Sequence, residues 1–206
     1  MNIITISREF GSGGRELGKR MADFLHWDYY DREIIETVAK EEGMDADYVQ
    51  SVLERHEWWT VPISFHRSFS ACTVPNTELL VKEKEVIERI AAADRNCIIV
   101  GRNADYFLRK YEPFRIFVCA GMEAKLRRCR ERASSSEPLA DKEIERQIKR
   151  IDRNRASVRE LVSGDCWGNR SCYHLTVNTT DWEIKELAPV VAEFAQHFFE
   201  RKKLLP

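Results

Sequence analysis

The chain lacks an excess of either charge: 33 Lys and Arg stand against 34 Asp and Glu over 206 residues, for a net charge of −1. A protein held to nucleic acid by overall charge is thereby disfavoured, although a local basic stripe is not. No apolar run approaches the roughly 20 residues that cross a bilayer. The segment Met1-Asn2-Ile3-Ile4-Thr5-Ile6-Ser7-Arg8-Glu9 carries neither a cationic stretch nor a long apolar one. No membrane span or secretory signal is read, and a cytoplasmic location is expected. Paired cysteines are also missing. Cys72, Cys97, Cys119, Cys129, Cys166 and Cys172 form no C-x-x-C pair, so reduced thiols fit better than a disulfide framework. Cys166, Cys172 and His174 match no standard zinc spacing. The remaining histidines, His26, His56, His66 and His197, stand beside no nucleophile, so covalent catalysis finds no support.

What is present suits a packed core: 43% hydrophobic and 33% charged residues lie in the globular range. The length fits a single domain, 1–206, with small inserted flaps. Ile3 to Ser7, Cys97 to Val100, Arg115 to Ala120 and His174 to Asn178 read as strands, with Trp27 to Tyr30 a weaker fifth. Between them Leu17, Met21, Phe24 and Leu25 recur at helical spacing, as do Val86, Ile87 and Ile90, and Ile184, Leu187, Val191, Phe194 and Phe198. Apolar strands alternating with amphipathic helices predict an α/β fold with a parallel sheet of about five strands covered on both faces. Two stretches break the alternation. Gly43 to Pro75 holds Trp58, Trp59, Phe65 and Phe69 without clear period and reads as a flap, with the loop Trp58 to Phe69 either simple packing or a homodimer contact. Ala133 to Cys172 opens on serines and continues as a strongly basic helix, the expected lid.

The most informative segment is Ser7-Arg8-Glu9-Phe10-Gly11-Ser12-Gly13-Gly14-Arg15-Glu16, which follows a strand and opens a helix. There, successive backbone N–H groups and the helix dipole form an anion site, and three glycines in four residues admit a phosphate closely. Against the pattern G-x-x-x-x-G-K-[ST], Arg8 stands at the first glycine, Gly14 at the lysine and Arg15 at the hydroxyl residue. Arg8 and Arg15 can supply the missing cation, since guanidinium binds phosphate bidentately. Glu16 either holds magnesium or faces solvent in the first helical turn. A tight strand-to-helix turn without a ligand is the plainer alternative.

The loop Ser7 to Arg20, Asp28-Tyr29-Tyr30-Asp31, Val100-Gly101-Arg102-Asn103-Ala104-Asp105-Tyr106 and Ile151-Asp152-Arg153-Asn154-Arg155 occur in one order along nearly the whole chain. Together they resemble the cytidylate kinase-like family, related to bacterial cytidylate kinases and the P-loop nucleoside monophosphate kinases. The resemblance implies a three-layer P-loop fold and transfer of the γ-phosphoryl of ATP, with Mg2+, to CMP, dCMP or another small acceptor. Arg8, Gly11, Ser12, Gly13, Gly14, Arg15 and Glu16 would then hold the donor, with Glu16 on the metal. Arg15, Arg150 and Arg153 would neutralise the transferring group. Asp31, Arg102, Asn103, Asp152 and Arg155 would meet the acceptor. Asn103 stands where those kinases carry Asp, which alters base recognition, because an amide donates as well as accepts.

Each of these readings has a plainer counterpart. Asp31 suits the N-cap of a helix over Arg32 to Ala39, Arg102 suits local pairing, and six basic residues between Arg146 and Arg159 suit a solvated face. Missing lysine and hydroxyl also suit a catalytically inactive nucleotide sensor. The lid reading is checked by limited trypsin digestion: ATP is expected to slow cleavage at Arg150 and Arg153, and unchanged cleavage argues for the solvated face.

Overall fold

β-branched and aliphatic residues that alternate across a strand can serve two cores at once. In the computed structural model, which describes residues 1–31, 77–132 and 140–204, they do so. Strands β1 (Ile3–Arg8), β2 (Asp28–Tyr30), β3 (Cys97–Val100), β4 (Phe114–Cys119) and β5 (Leu175–Asn178) form one sheet in the order β2-β3-β1-β4-β5. Every pairing is parallel, from Ile4 opposite Ile98 to Val118 opposite Val177. All five expected strands appear, β2 included.

One face of the sheet presents Ile4, Ile6, Ile98, Val100, Ile116 and Val118 to helices α1 (Gly14–Leu25) and α6 (Ile184–Lys203). Leu17 and Met21 of α1 and Ala192 and Ala195 of α6 lose all solvent contact there. On the other face Ile3, Cys97 and Ile99 pack on Val86, Ile87 and Ile90 of α2 (Thr77–Ala92) and on the short α3 (Ala104–Phe107). Double coverage explains why the strand sequences read as nearly continuous apolar runs. Helices α4 (Met122–Arg132) and α5 (Asp141–Ser163) form a smaller core of their own through Cys129, Ile144 and Ile148. The basic helix foreseen after Ala133 is therefore α5, packed through its isoleucine stripe.

No described helix is long and apolar enough to cross a membrane. The aromatic stretch Gly43 to Pro75, its dimer reading, and the helix expected over Arg32 to Ala39 lie outside the described residues.

Helix α1 approaches the sheet at Gly18, where an added Cβ would stand 2.8 Å from Val100 Cγ2 and 3.0 Å from Ile6 Cδ1. Gly18→Leu is expected to lower stability by about 1–3 kcal/mol through overpacking, read as an earlier midpoint in urea unfolding with an unchanged slope.

Candidate active site

The carboxyl ends of parallel strands are where open α/β sheets bind ligands, and here β1 runs directly into the glycine-rich turn. Gly11 and Gly13 take left-handed backbone, φ 75° and 81°, and Gly13 is the N-cap of α1. Such a conformation costs glycine little, and it turns the chain sharply into the helix. Ser12 is fully buried, and its hydroxyl donates to the Glu9 carbonyl at 2.8 Å. The turn is held from behind by Thr179, whose hydroxyl donates to the Ser12 carbonyl at 2.6 Å. Arg128 of α4 donates to the Thr179 hydroxyl at 3.0 Å and to the Trp182 carbonyl at 3.1 Å. Burial, then the neighbouring Arg127 and Arg132, lowers the Arg128 pKa below the usual arginine range.

The exchange at the loop's consensus positions has a steric logic. An added Cβ at Gly14 would stand 2.6 Å from Arg8 Cβ and 3.2 Å from Val118 Cβ. A lysine cannot occupy position 14 while arginine occupies position 8. The Arg8 side chain runs through that space and across Gly101, where an added Cβ would lie 1.7 Å from Arg8 Nη1. Gly14 thus leaves room for the Arg8 Cβ and Cγ, and Gly101 for its guanidinium, at the ends of β1 and β3.

A cavity of about 110 Å³ opens at the turn, and its walls include Arg8, Arg15, Arg128, Arg132 and Arg155 beside Gly11, Gly13 and Gly14. Arg15 Nε lies 2.6 Å from the buried Asp31 carboxylate. The Tyr29 hydroxyl donates to the Arg15 carbonyl at 3.2 Å, and burial pushes its pKa well up. Asp31, one of the expected acceptor residues, therefore shares the cavity with the glycine-rich turn. Cys129 also borders it, but burial pushes its pKa up to about 11, which keeps it a neutral thiol.

Helix α5 meets the turn through Asp152 and Arg155. Asp152 Oδ1 accepts from the Phe10 backbone N–H at 2.8 Å, and Arg155 donates to the Arg8 carbonyl at 2.9 Å. Lys125 of α4, almost fully buried, places Nζ 2.8 Å from Glu9 and 3.5 Å from Asp152. Burial raises the Asp152 pKa, opposed by Arg155, the Phe10 N–H and Lys125. These contacts set Asp152 and Arg155, the residues expected to meet the acceptor, against the glycine-rich turn. The other expected residues lie elsewhere. Arg102 pairs with the buried Glu83 of α2 at 3.2 Å, and Asn103 is the N-cap of α3 in left-handed backbone. Arg150 and Arg153 are exposed and do not border the cavity. The C-terminal half of α5 is instead fastened by buried Arg159, 2.8 Å from Asp105, whose pKa burial raises.

Magnesium does not fit these side chains. The position for its hydroxyl ligand is a guanidinium, and Glu16 accepts from Arg20 at 2.9 Å and Arg132 at 2.7 Å. Among the described residues no three His, Cys, Asp or Glu side chains gather into a metal-holding group.

Comparison with known proteins matches residues 3–181 to the family described as cytidylate kinase-like. No curated protein sequence matches. Among solved structures, an uncharacterized protein from Eubacterium ventriosum ATCC 27560 superposes with a TM-score of 0.71 at 19% identity, over 95% of this chain and 99% of that one. A shikimate kinase from Bacteroides thetaiotaomicron gives 0.55 at 14% identity, covering 95% and 98%. A gluconokinase from Sinorhizobium meliloti 1021 gives 0.56 at 10%, covering 98% and 96%. These likenesses show the three-layer P-loop kinase fold.

Removing one partner of a buried ion pair strands the other. Lys125→Met, which leaves Glu9 and Asp152 facing each other, is expected to lower stability by about 3 kcal/mol. Adding Glu9→Gln should regain part of that loss in the same urea titration.

Proposed function

Since the chain belongs to the cytidylate kinase-like family, we propose that it is a nucleotide-dependent phosphotransferase whose donor cation is Arg8 in place of the loop lysine. The observation that supports this reading is the packing of Arg8 against Gly14 and Gly101, which lets an arginine border the cavity at the turn while a side chain at the lysine position would overlap it. Backbone amides of Gly11 to Arg15 hold the donor phosphates of ATP, as a helix N-terminus favours. Arg15, Arg132 and Arg155, which border the same cavity, take up charge as the phosphoryl group moves. Phosphoryl transfer needs positioning and charge neutralisation and no protein nucleophile, in keeping with the neutral Cys129. Magnesium is proposed to arrive bound to the nucleotide, and Glu16 to orient Arg132.

The acceptor is proposed to be CMP, dCMP or another small molecule, entering from the side of Asp31 and the edge of β3, where Arg102 and Asn103 follow Gly101. The region 133–172 is proposed to act as the lid of a single cytoplasmic domain, with Arg150 and Arg153 closing only when substrates are bound. A second reading, a nucleotide-binding sensor without turnover, is favoured by Gly14 and Arg15 at the lysine and hydroxyl positions.

The test couples ADP formation to a panel of monophosphates and small hydroxyl acceptors, with calorimetric ATP binding measured alongside. Turnover with one acceptor, lost at least a hundredfold in Arg8→Ala while the protein stays folded, supports the transferase. Arg15→Ala should weaken ATP more than Arg102→Ala does, with the reverse for the acceptor. Binding without turnover would favour the sensor, and no ATP binding would reject both.

A further inference from the structure

At the opposite, amino-terminal edge of the sheet lies a second and larger concavity, of about 540 Å³. Its volume falls in the range of small-molecule sites. Four of its walls are cations, Arg109, Arg115, Arg201 and Lys202, against one carboxylate, Glu112. Such a charge ratio, in a chain of net charge −1, is a local concentration that the turn at the other end of the sheet does not explain.

The cations come from three separate elements. Arg115 is the second residue of β4, opposite Thr5 of β1, so it sits near the start of that strand, whereas the donor turn follows its end. Arg109 belongs to the short 3-10 turn after α3, and Arg201 and Lys202 to the last turn of α6. Lys202 is steered by Glu112, 2.5 Å from its Nζ, and so the single acid serves to fix the rim. Arg115 Nε is buried and has no hydrogen-bond partner among the described residues. Its Nη2 stands 3.4 Å from Nε2 of His174. The His174 Nδ1 already accepts from the Arg115 backbone N–H at 3.0 Å, which the neutral ring allows. A neutral imidazole gives Arg115 no counter-charge.

The remaining wall is aromatic and apolar. The His174 ring lies flat against Phe114, 5.6 Å between centroids and 6° between planes, and Phe198 packs beside it at 4.8 Å. Guanidinium forks match phosphate oxygens bidentately, while an aromatic wall accepts a planar ring. From this combination we propose a second ligand site, distinct from the donor turn, that binds a phosphorylated small molecule of nucleotide size with its phosphates on Arg109, Arg115 and Arg201. The site reaches the turn's neighbourhood through one short stretch of chain: Gly101 to Phe114 carries Arg102 and α3 at one end and Arg109 and Glu112 at the other.

Calorimetric titration of the full chain with ATP and with inorganic pyrophosphate tests the proposal. Wild type is expected to take two equivalents of ATP. Arg109→Glu/Arg201→Glu, both on exposed residues, should weaken one equivalent at least tenfold and leave the other unchanged. Arg109→Gln/Arg201→Gln should do the same more mildly if the charge reversal harms folding. Arg8→Ala should remove the other equivalent only; if it removes none, the donor-site reading fails while this site stands. ATP binding that the rim variants leave unaffected, or equal competition by citrate or polyglutamate, would overturn the assignment; a single wild-type equivalent that the rim variants weaken and Arg8→Ala leaves unchanged would overturn the donor-site reading alone.

Discussion

Ion pairing at the carboxyl end of the sheet governs how this site can be built. Several guanidinium groups border one small cavity, and like charges at such spacing repel strongly where water is scarce. The fold answers with carboxylates placed beside them, two on another element and one a turn earlier on the same helix. Asp31 at the end of β2 takes Arg15, Glu16 of α1 takes Arg132, and Asp152 of α5 takes Arg155. Lys125 then closes the remaining gap between Glu9 and Asp152. Each pair joins two different elements or turns of chain, so the electrostatic solution is also a mechanical one. The turn, α4 and α5 are bound into one assembly, with Asp152 on the Phe10 N–H joining turn and α5.

This arrangement changes what an incoming anion meets. In a loop of the usual pattern, phosphate is drawn to a lysine that has room to move. Here the attraction is spread over arginines already engaged with carboxylates, and a phosphate must exchange partners with those acids. Such exchange bears on how α5 is held, because Asp152 and Arg155 fasten it to the turn through the Phe10 N–H and the Arg8 carbonyl. Ligand binding can shift that balance only by the difference between what it gains from the arginines and what the carboxylates lose.

Much of the architecture could be read from residue pattern alone, since the strands face two cores and their apolar runs leave little ambiguity. Even Trp27 to Tyr30, too short to be persuasive by itself, is held as β2 by pairing with Cys97 to Ile99. The site was only half visible. Arg8, Arg15 and the glycines advertised themselves by sitting in a spaced motif directly after a strand. Lys125, Arg128 and Arg132 did not, because they arrive from α4 and a basic helix looks alike whether it faces solvent or a turn. A hint existed in the run Lys125-Leu126-Arg127-Arg128, too cationic for a helix with buried positions unless acids lie opposite. Asp152 and Arg155 were expected to meet the acceptor from their motif, but motif spacing carries no information on which side of the turn a helix will lean.

The crowding of Arg8 against Gly14 also bears on how such a loop can change over generations. A chain with arginine at position 8 cannot accept lysine at 14 without overlap, and a chain that first loses the arginine passes through a turn with neither cation. The two positions are therefore coupled by packing, although they never meet as a charge pair. Gly101 is drawn into the same dependence, because its missing side chain is where the guanidinium lies. Three residues from two distant stretches of sequence therefore share one packed volume, and the loop is held in its present form by geometry as firmly as by chemistry.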